Sequence, residues 1–409
     1  TLTQKHNHTI NNDDILVYNA PQSNLMGAIE ALPDLDSLPP GSCDLVLVGD
    51  ENIIRPLLEK RPYQPLAQAL KEGTSRKGCR VSLRHAPETI DMEDSIRAIR
   101  RKPNASINVG CQLAAESYEQ SKKAGSPPPA AFISAGHSGA MMTSALLTMG
   151  RLKDVERPAI AVKLPTISRD GCVLIDVGAN VDCKPEHLRD FAIMGAAFAS
   201  VERHNPALPR VGVLSNGEER SKGNELTRAA AELIDKLPCL KPENPQAIGQ
   251  FVGYAEGKEI FKGQVDVVVT DGFVGNVVLK SVEGLGSAVV TLMKQEGKKN
   301  FLNILGFLFS AGAFRRLKKK LDYAETGAAP LLGVAGYAFV CHGRSNSRAI
   351  KNALLRASTA VQERLIERLE DALATVDAPV GLRAQHSTGA TGTTGASGAS
   401  SASSSGPAR

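Results

Sequence analysis

Short apolar runs alternate with amphipathic segments along most of this chain. The runs are rich in β-branched residues and each ends in Gly, Asp, Asn or Ser; they span residues 44–50, 130–136, 173–179, 210–217 and 265–272. Continuous runs of this kind are typical of parallel strands buried on both faces. Segments with helical periodicity follow most of them, as in residues 187–203 and 223–237. The pattern predicts an α/β fold with a largely parallel sheet, as a single large domain over residues 1–382.

The composition narrows the class of protein. The 409 residues are 42% hydrophobic and 22% charged, with a net charge of +5, which excludes a mostly disordered chain. Aromatic residues make up 4% and Trp is absent, so the stacking platforms of single-strand nucleic-acid grooves are missing and no nucleic-acid partner is expected. Residues 383–409 are mostly Gly, Ala, Ser and Thr, which predicts a disordered tail.

The cysteines and the N-terminal residues indicate the cellular compartment in which the protein is expected. The seven cysteines form no CxxC pair, so neither a disulfide framework nor a structural zinc site is expected. The first residues are polar and lack a basic segment followed by an apolar run, so no signal peptide is expected. We therefore expect a cytoplasmic protein with reduced thiols and no bound metal.

Four loops at the ends of the predicted strands carry glycine and polar side chains just before a helix. Ligands of open parallel sheets bind beyond the carboxyl ends of the strands, and helix N-termini favour anions. The candidates, loop by loop, are Ser134, Gly136, His137, Ser138 and Gly139; Asn180, Asp182, Lys184 and His187; Asn216, Glu218, Lys222 and Asn224; and Asp271, Gly272, Asn276 and Lys280. For any single loop, turn geometry and helix capping are the better interpretation. Four such loops together favour a shared anion site.

Familiar ligand and nucleophile motifs are absent from the sequence. It contains no GxxxxGK[ST] motif, no GxGxxG opening a βαβ unit and no GxSxG motif. A phosphate-sized anion therefore fits better than a nucleotide, and no cofactor is expected.

One segment, residues 298–321, differs in kind from the rest. Its aromatic residues are followed directly by cations: Phe301, Phe307, Phe309 and Phe314, then Arg315, Arg316, Lys318, Lys319 and Lys320. The apolar run is too short to span a bilayer, which needs about 20 residues. Residues 294–320 carry eight cations and one anion, a net charge of +7. This predicts an amphipathic segment on an anionic membrane surface, and the alternative is a core or dimer-interface helix with a basic end.

Several long strings occur together in a fixed order. They are HAPETIDMEDSIRAIRRKPNASI, SAGHSGAMM, LIDVGANVDCKPEHLRDFAIMG, RVGVLSNGEERSKGNEL, VDVVVTDGFVGNVVLKSVEG and DYAETGAAPLLGVAGYAFVCHGRSNSRAIKNAL. Over residues 46–357 the chain resembles the PlsX family, the phosphate acyltransferases of bacterial phospholipid synthesis. The resemblance implies a three-layer αβα fold similar to phosphate acetyltransferases and isocitrate-type dehydrogenases.

The resemblance also implies an activity and its partners. The family transfers a long-chain acyl group from acyl-acyl-carrier protein to inorganic phosphate, without a metal or cofactor, as homodimers at the inner face of the cytoplasmic membrane. Under this hypothesis the catalytic candidates, which position phosphate and move protons, are Asn180, Asp182, Lys184, His187, Lys222 and Asn276. The other loop residues bind substrate, and the basic segment docks either lipid or the acidic carrier protein.

The N-terminal region departs from the family pattern. Tyr18 and Asn19 stand where relatives have an acidic, glycine-rich loop. This leaves open a non-catalytic scaffold that binds carrier protein or membrane. A third hypothesis, an NAD(P)-dependent decarboxylating dehydrogenase, is disfavoured because the dinucleotide fingerprint is missing.

Overall fold

The computed structural model describes most of the chain between residues 21 and 374. The described residues are 21–38, 43–75, 78–91, 94, 97–123, 127–167, 170–203, 206–297, 299, 306, 309–321 and 327–374. The N-terminal departure at Tyr18 and Asn19 and the predicted tail lie outside them. Contacts divide the chain into residues 1–376 and 377–409, so the predicted domain boundary stays a prediction.

Strands and helices alternate over most of the described chain. The strands are β1 (Asp44–Gly49), β2 (Arg80–His85), β3 (Ala131–Ser134), β4 (Ala159–Leu164), β5 (Cys172–Ile175), β6 (Arg210–Leu214), β7 (Gln250–Ala255), β8 (Val267–Val269), β9 (Ala328–Leu332) and β10 (Tyr337–Cys341). The helices are α1 (Gln22–Leu35), α2 (Glu51–Leu58), α3 (Gln64–Glu72), α4 (Ala98–Arg101), α5 (Ser106–Ser121), α6 (Ser138–Thr148), α7 (Pro185–Glu202), α8 (Glu225–Asp235), α9 (Gly257–Lys262), α10 (Gly272–Gly297), α11 (Ala311–Leu321), α12 (Ser347–Gln362) and α13 (Leu365–Ala374). Each of the five apolar runs contains a strand, as predicted.

Eight strands form the central sheet, in the order β3-β10-β9-β4-β5-β8-β6-β7. At one side β3 and β10 are parallel, and at the other β5, β8, β6 and β7 are all parallel. Between these groups, β9 is antiparallel to β10 and β4, and β4 is antiparallel to β5. Most neighbours are parallel, which confirms the prediction. The two groups of parallel strands nevertheless run in opposite directions.

Helices cover both faces of this sheet. On the first face, α7, α8, α12 and α13 pack against one core cluster, in which Phe191 and Phe198 are completely buried. On the second face, α5 and α6 pack against another cluster that includes Met141 and Leu174. Burial of each Phe ring contributes about 1.5–3 kcal/mol, so the sheet is fixed mainly by these apolar layers. The predicted three-layer αβα architecture is confirmed.

The first apolar run takes a different place from the other four. Its strand, β1, pairs in parallel with β2 in a separate two-stranded sheet. A third core cluster packs α1, α2 and α3 against these strands through Leu25, Ile54, Leu66 and Val81. The opposite face is partly open, since Val46 is 44% exposed.

Candidate active site

Because the two strand groups are antiparallel, the four candidate loops do not meet at one edge of the sheet. The first loop follows β3, and the others follow β5, β6 and β8, which end at the opposite edge. We call these the β3–β10 end and the β5–β8 end. The expectation of one shared edge is therefore wrong. Three successive antiparallel pairings, β10–β9, β9–β4 and β4–β5, cause the reversal. Hydrophobic periodicity in the sequence does not report strand direction.

At the β5–β8 end, the second loop is organised around Asp176. This fully buried carboxylate accepts hydrogen bonds from the backbone N–H groups of Ile160, Gly178, Ala179 and Asn180, and from Asn180 Nδ2. Burial raises the pKa of Asp176, and these hydrogen bonds partly offset that effect. Asn180 Nδ2 also donates to Pro158 O at 2.7 Å. The candidate Asn180 thus holds the loop together, with its amide hydrogens engaged by protein.

The fourth loop closes tightly on the second. Gly272 N donates to Asn180 O at 2.7 Å, and Asp271 Oδ1 accepts from Val274 N at 2.9 Å. A Cβ atom on Gly275 would lie 1.8 Å from Asp176 O, so only glycine fits there. Asn276 lies beside this contact, with its Cβ atom 3.7 Å from a Cβ built on Gly178. The structure therefore brings the second and fourth candidate groups together, with the backbone filling the space between them.

The remaining candidates of the second loop begin helix α7. His187 is buried; its Nδ1 accepts from Lys184 N at 3.1 Å and its Nε2 lies 2.7 Å from Glu156 Oε2. Asp182 and Glu186 are exposed. A cavity of about 450 Å³ opens beside them and is lined by Arg151, Asp154, Val155, Glu156, Lys184, Glu186, Arg189 and Asp190. Three cations and four carboxylates line it, so it offers no net attraction for phosphate.

The polar side chains Asn216 and Asn224 of the third loop also have hydrogen-bond partners within the loop and the helix that follows it. Asn216 Oδ1 accepts from Gly223 N, and Asn224 caps α8 by accepting from Thr227 N, both at 2.9 Å. Glu218 is exposed, and its hydrogen bond with Glu259 raises its pKa. Lys222 is exposed and packs over Gly217. Turn geometry and helix capping therefore account for these residues. Of the two interpretations of the sequence, capping and anion binding, this is the first.

The β3–β10 end has a different geometry. Strands β3 and β10 are adjacent and parallel, with Ser134 opposite Val340. The chain leaves β3 for α6 on the second face of the sheet, and leaves β10 for α12 on the first face. In open α/β sheets, the usual ligand site is the crevice beyond neighbouring parallel strands whose connections diverge. The topology therefore predicts such a crevice at the carboxyl ends of β3 and β10. Two helix N-termini flank this crevice, and both favour an anion.

The first candidate loop forms one wall of the crevice. Ser134 is buried and its Oγ accepts from Gly136 N at 3.1 Å. His137 caps α6, since its Nδ1 accepts from Ala140 N at 3.2 Å, which leaves Nε2 as the proton-bearing nitrogen of the neutral ring. A Cβ on Gly139 would lie 3.0 Å from His137 Cε1, so glycine leaves room for that ring. Ser138 is exposed in the first turn.

The opposite wall contains residues that sequence reasoning missed. It is the segment from His342 to Asn346, where Asn346 Oδ1 caps α12 by accepting from Ala349 N at 2.9 Å. Ser345 is only 9% exposed, and its Oγ has no hydrogen-bond partner within the part of the chain that the structure describes. Arg344 is exposed beside it. The signal was present in the string CHGRSNSRA, which follows an apolar run and precedes a helix as the other loops do.

Lys280 connects the two ends of the sheet. It lies two turns into α10, which starts at the β5–β8 end, and its Nζ is 3.4 Å from His342 Nε2. Glu283 accepts from the same ammonium at 2.9 Å. Burial and the neighbouring Lys280 lower the pKa of His342, so its imidazole is neutral at neutral pH. Lys280 alone of the fourth group therefore reaches the crevice.

The predicted membrane segment is described only in part. Phe301 and Phe307 lie outside the described residues. Phe309 is 89% exposed, Phe314 is half-buried, and Arg315 and Arg316 are exposed. Lys318, Lys319 and Lys320 lie in α11, but their side chains are outside the description. Within the described chain, α10 is long and apolar enough to cross a membrane by length and composition, and it is largely unburied.

No group of three or more His, Cys, Asp or Glu side chains is placed to hold a metal ion among the residues that the structure describes. The donors at the crevice are hydroxyl, imidazole, guanidinium, ammonium and backbone N–H groups. Such groups bind and stabilise oxyanions directly.

Known proteins are similar to this chain in sequence and in structure. Phosphate acyltransferase from Pelotomaculum thermopropionicum is 42% identical over 335 residues, covering 82% of this chain and 87% of that protein. The one from Geobacter sulfurreducens is 41% identical over 360 residues, covering 87% and 92%. EutD phosphotransacetylase from Staphylococcus aureus matches in structure with a TM-score of 0.47 and 15% identity, covering 84% and 92%. The model of the fatty acid synthesis protein family matches residues 19–368, so the chain belongs to that family.

Proposed function

We propose that this protein transfers an acyl group from acyl-acyl-carrier protein to inorganic phosphate, releasing acyl phosphate and the carrier thiol. The relatives named phosphate acyltransferase, about 40% identical over most of their length, support the reaction and favour an enzyme over a non-catalytic scaffold. The location rests on the adjacent carboxyl ends of β3 and β10, which lead into the N-termini of α6 and α12. It rests also on the buried Ser345 hydroxyl, which has no hydrogen-bond partner among the described residues.

The crevice suits phosphate for an electrostatic reason. Arg344 and Lys280 supply positive charge, and the N-termini of α6 and α12 add the partial positive charge of their dipoles. A guanidinium binds two phosphate oxygens at once, so Arg344 orients the nucleophile as well as attracting it. Ser345 Oγ supplies a hydroxyl donor in a desolvated place, where a hydrogen bond to an anion is stronger than in water.

The acyl transfer has three chemical events, which the groups at the crevice assist. A phosphate oxygen attacks the thioester carbonyl, the carbonyl oxygen becomes negative, and the C–S bond then breaks to release a thiolate. Backbone N–H groups in the first turns of the two helices are aimed to stabilise the oxyanion. The neutral His342 beside Lys280 accepts the proton that hydrogen phosphate gives up on attack and passes it to the departing thiolate. Each step uses only groups of this chain and of its two substrates, phosphate and the acyl-carrier thioester.

We also propose that the protein acts as a homodimer on an anionic membrane surface. Helix α10 supports self-association because Val277, Leu285 and Leu292 are each at least half exposed along it. The exposed Phe309 and the cations that follow it support membrane contact. Co-sedimentation with phosphatidylglycerol vesicles should weaken with added salt and with Phe309→Ser, whereas light scattering should report monomers for Leu285→Asp.

The reaction is tested by incubating the protein with palmitoyl-acyl-carrier protein and phosphate, then measuring free carrier thiol and hydroxamate-trapped acyl phosphate. Arg344→Ala and Ser345→Ala should raise the KM for phosphate roughly ten- to hundredfold, since losing a hydrogen bond to an ion costs about 1.5–3 kcal/mol. Arg368→Ala is the matched control, because Arg368 is half exposed and pairs with Glu363 away from the crevice.

Two contrary results have different meanings. If the wild-type protein releases no thiol in response to phosphate, the acyltransferase function is wrong and the scaffold hypothesis takes its place. If it does, but Lys184→Ala and Lys222→Ala impair phosphate use while the crevice variants do not, the reaction stands and its location is wrong.

A further inference from the structure

Two cysteines stand side by side at the base of the small sheet. Cys43 directly precedes β1 and Cys79 directly precedes β2. The strands are parallel with Asp44 opposite Arg80, and Arg80 N donates to Cys43 O at 2.9 Å. The register therefore places Cys43 opposite Cys79. This pair is remote in sequence, and only the pairing of β1 with β2 brings it together.

The spacing of this pair suits a disulfide. Neighbouring strands lie about 4.8 Å apart, and disulfides join Cα atoms about 4.4–6.8 Å apart. Cys79 Sγ donates to Arg80 O at 3.7 Å. The neighbouring Cys79 side chain is the main cause that lowers the pKa of Cys43, which favours the Cys43 thiolate. By contrast, Cys111 contacts the thioether of Met141, with the two sulfurs 3.8 Å apart.

The surroundings hold Cys79 in place and leave Cys43 the more accessible of the two. Cys79 is 2% exposed and Cys43 is 9% exposed. Cys79 N donates to Ser75 Oγ at 3.0 Å, and Ser75 Oγ donates to Asp36. A small oxidant therefore reaches Cys43 first, while Cys79 stays fixed behind it as the resolving thiol.

We propose that Cys43 and Cys79 form a reversible intrachain disulfide when the protein meets a peroxide. The Cys43 thiolate attacks hydrogen peroxide, giving a sulfenic acid and hydroxide. The Cys79 sulfur then attacks the sulfenic sulfur, so that the S–S bond forms and water leaves. In total two thiols and one peroxide give one disulfide and two waters, and a dithiol such as dithiothreitol reverses the reaction.

The cross-link closes the chain from residue 43 to residue 79, which contains α2 and α3 and their share of the third core cluster. Constraining this loop restricts the unfolded state, so the oxidised form should unfold at a higher temperature than the reduced form. The inference is independent of the proposed catalytic chemistry, because neither cysteine lies at either end of the central sheet.

Peptide mapping of the full-length protein tests the inference directly. The protein is treated with hydrogen peroxide, its remaining thiols are blocked with N-ethylmaleimide, and it is digested with trypsin without reduction. Cys79 lies in the tryptic tripeptide 78–80 and Cys43 in the peptide 6–60. The expected product is these two peptides joined and two hydrogens lighter than their sum, which disappears after dithiothreitol.

Two variants complete the test. Cys111→Ser should still give the linked peptides, and Cys43→Ser should leave Cys79 blocked by N-ethylmaleimide. Wild-type protein in which both thiols are blocked after peroxide, or oxidised separately to sulfinic acids, overturns the proposal. A link from Cys79 to any other cysteine overturns it as well.

Discussion

A buried ion pair joins helix α12, whose first turn flanks the crevice, to helix α7. Arg356 Nε and Nη2 contact the two carboxylate oxygens of Glu202 at 2.8 and 2.7 Å, with the side chains 10% and 16% exposed. Lys163 Nζ lies 3.6 Å from Glu202 Oε2. Breaking such a pair by removing one partner costs about 3–5 kcal/mol. Lys163 still compensates the charge of the Glu202 carboxylate in the variant. We therefore expect Arg356→Ala to lower the free energy of unfolding by about 3 kcal/mol, the lower end of that range.

The pair also predicts how stability depends on pH. Burial raises the pKa of Glu202, but Arg356 and Lys163 outweigh it, and the net pKa is lowered from its ordinary 4.5. A carboxyl with a lowered folded-state pKa stabilises the fold above its ordinary pKa, and that stability is lost as the pH falls through the folded-state value. Stability of the wild type should therefore fall below pH 4.5, and Arg356→Ala should flatten that fall.

Urea unfolding followed by circular dichroism at neutral pH and at pH 4 measures both effects. The matched control is Arg368→Ala, whose pair with Glu363 is 49% exposed on both sides and is worth less than about 1 kcal/mol. Equal losses for Arg356→Ala and Arg368→Ala would refute the reasoning. The reasoning would also be refuted if Arg356→Ala lost as much stability between neutral pH and pH 4 as the wild type does.

Other predictions concern the two ends of the sheet. Gly275→Ala should destabilise the protein strongly in thermal melts, because its Cβ would meet the Asp176 carbonyl oxygen at 1.8 Å. Gly284→Ala, in open space on the same helix, should instead stabilise it by up to about 1 kcal/mol, and equal effects would contradict this account. Lys280→Ala should raise the pKa of His342 in an NMR titration, since a neighbouring positive charge is removed, and an unchanged pKa would contradict the contact.

Much of the fold could be predicted because burial requires a recognisable pattern of apolar residues over a short stretch of sequence. A strand buried on both faces must be apolar throughout, so 173–179 and 210–217 were recognisable as β5 and β6. Helix caps are equally local, and Asn224 at the start of α8 illustrates this. The individual loops were correctly placed after their strands for the same reason.

The candidate site could be predicted only in pieces. His137 and Ser138 were identified and do flank the crevice, whereas the wall from His342 to Asn346 was missed although its pattern is the same. Asn180 was identified for its amide, but the structure engages that amide with Asp176 and Pro158. Whether a polar side chain is satisfied by the protein depends on neighbours that are distant in sequence.

Sequence by itself determined the α/β class, the family and the concentration of positive charge in residues 294–320, because periodicity, motif strings and charge are properties of the chain order. Only the tertiary structure decided which loops meet. Strand direction depends on hairpins closed by long-range pairing, and this sent the loops after β3 and β5 to opposite edges. The same pairing placed Cys43 beside Cys79, since register between distant strands is set by the packing of the whole sheet.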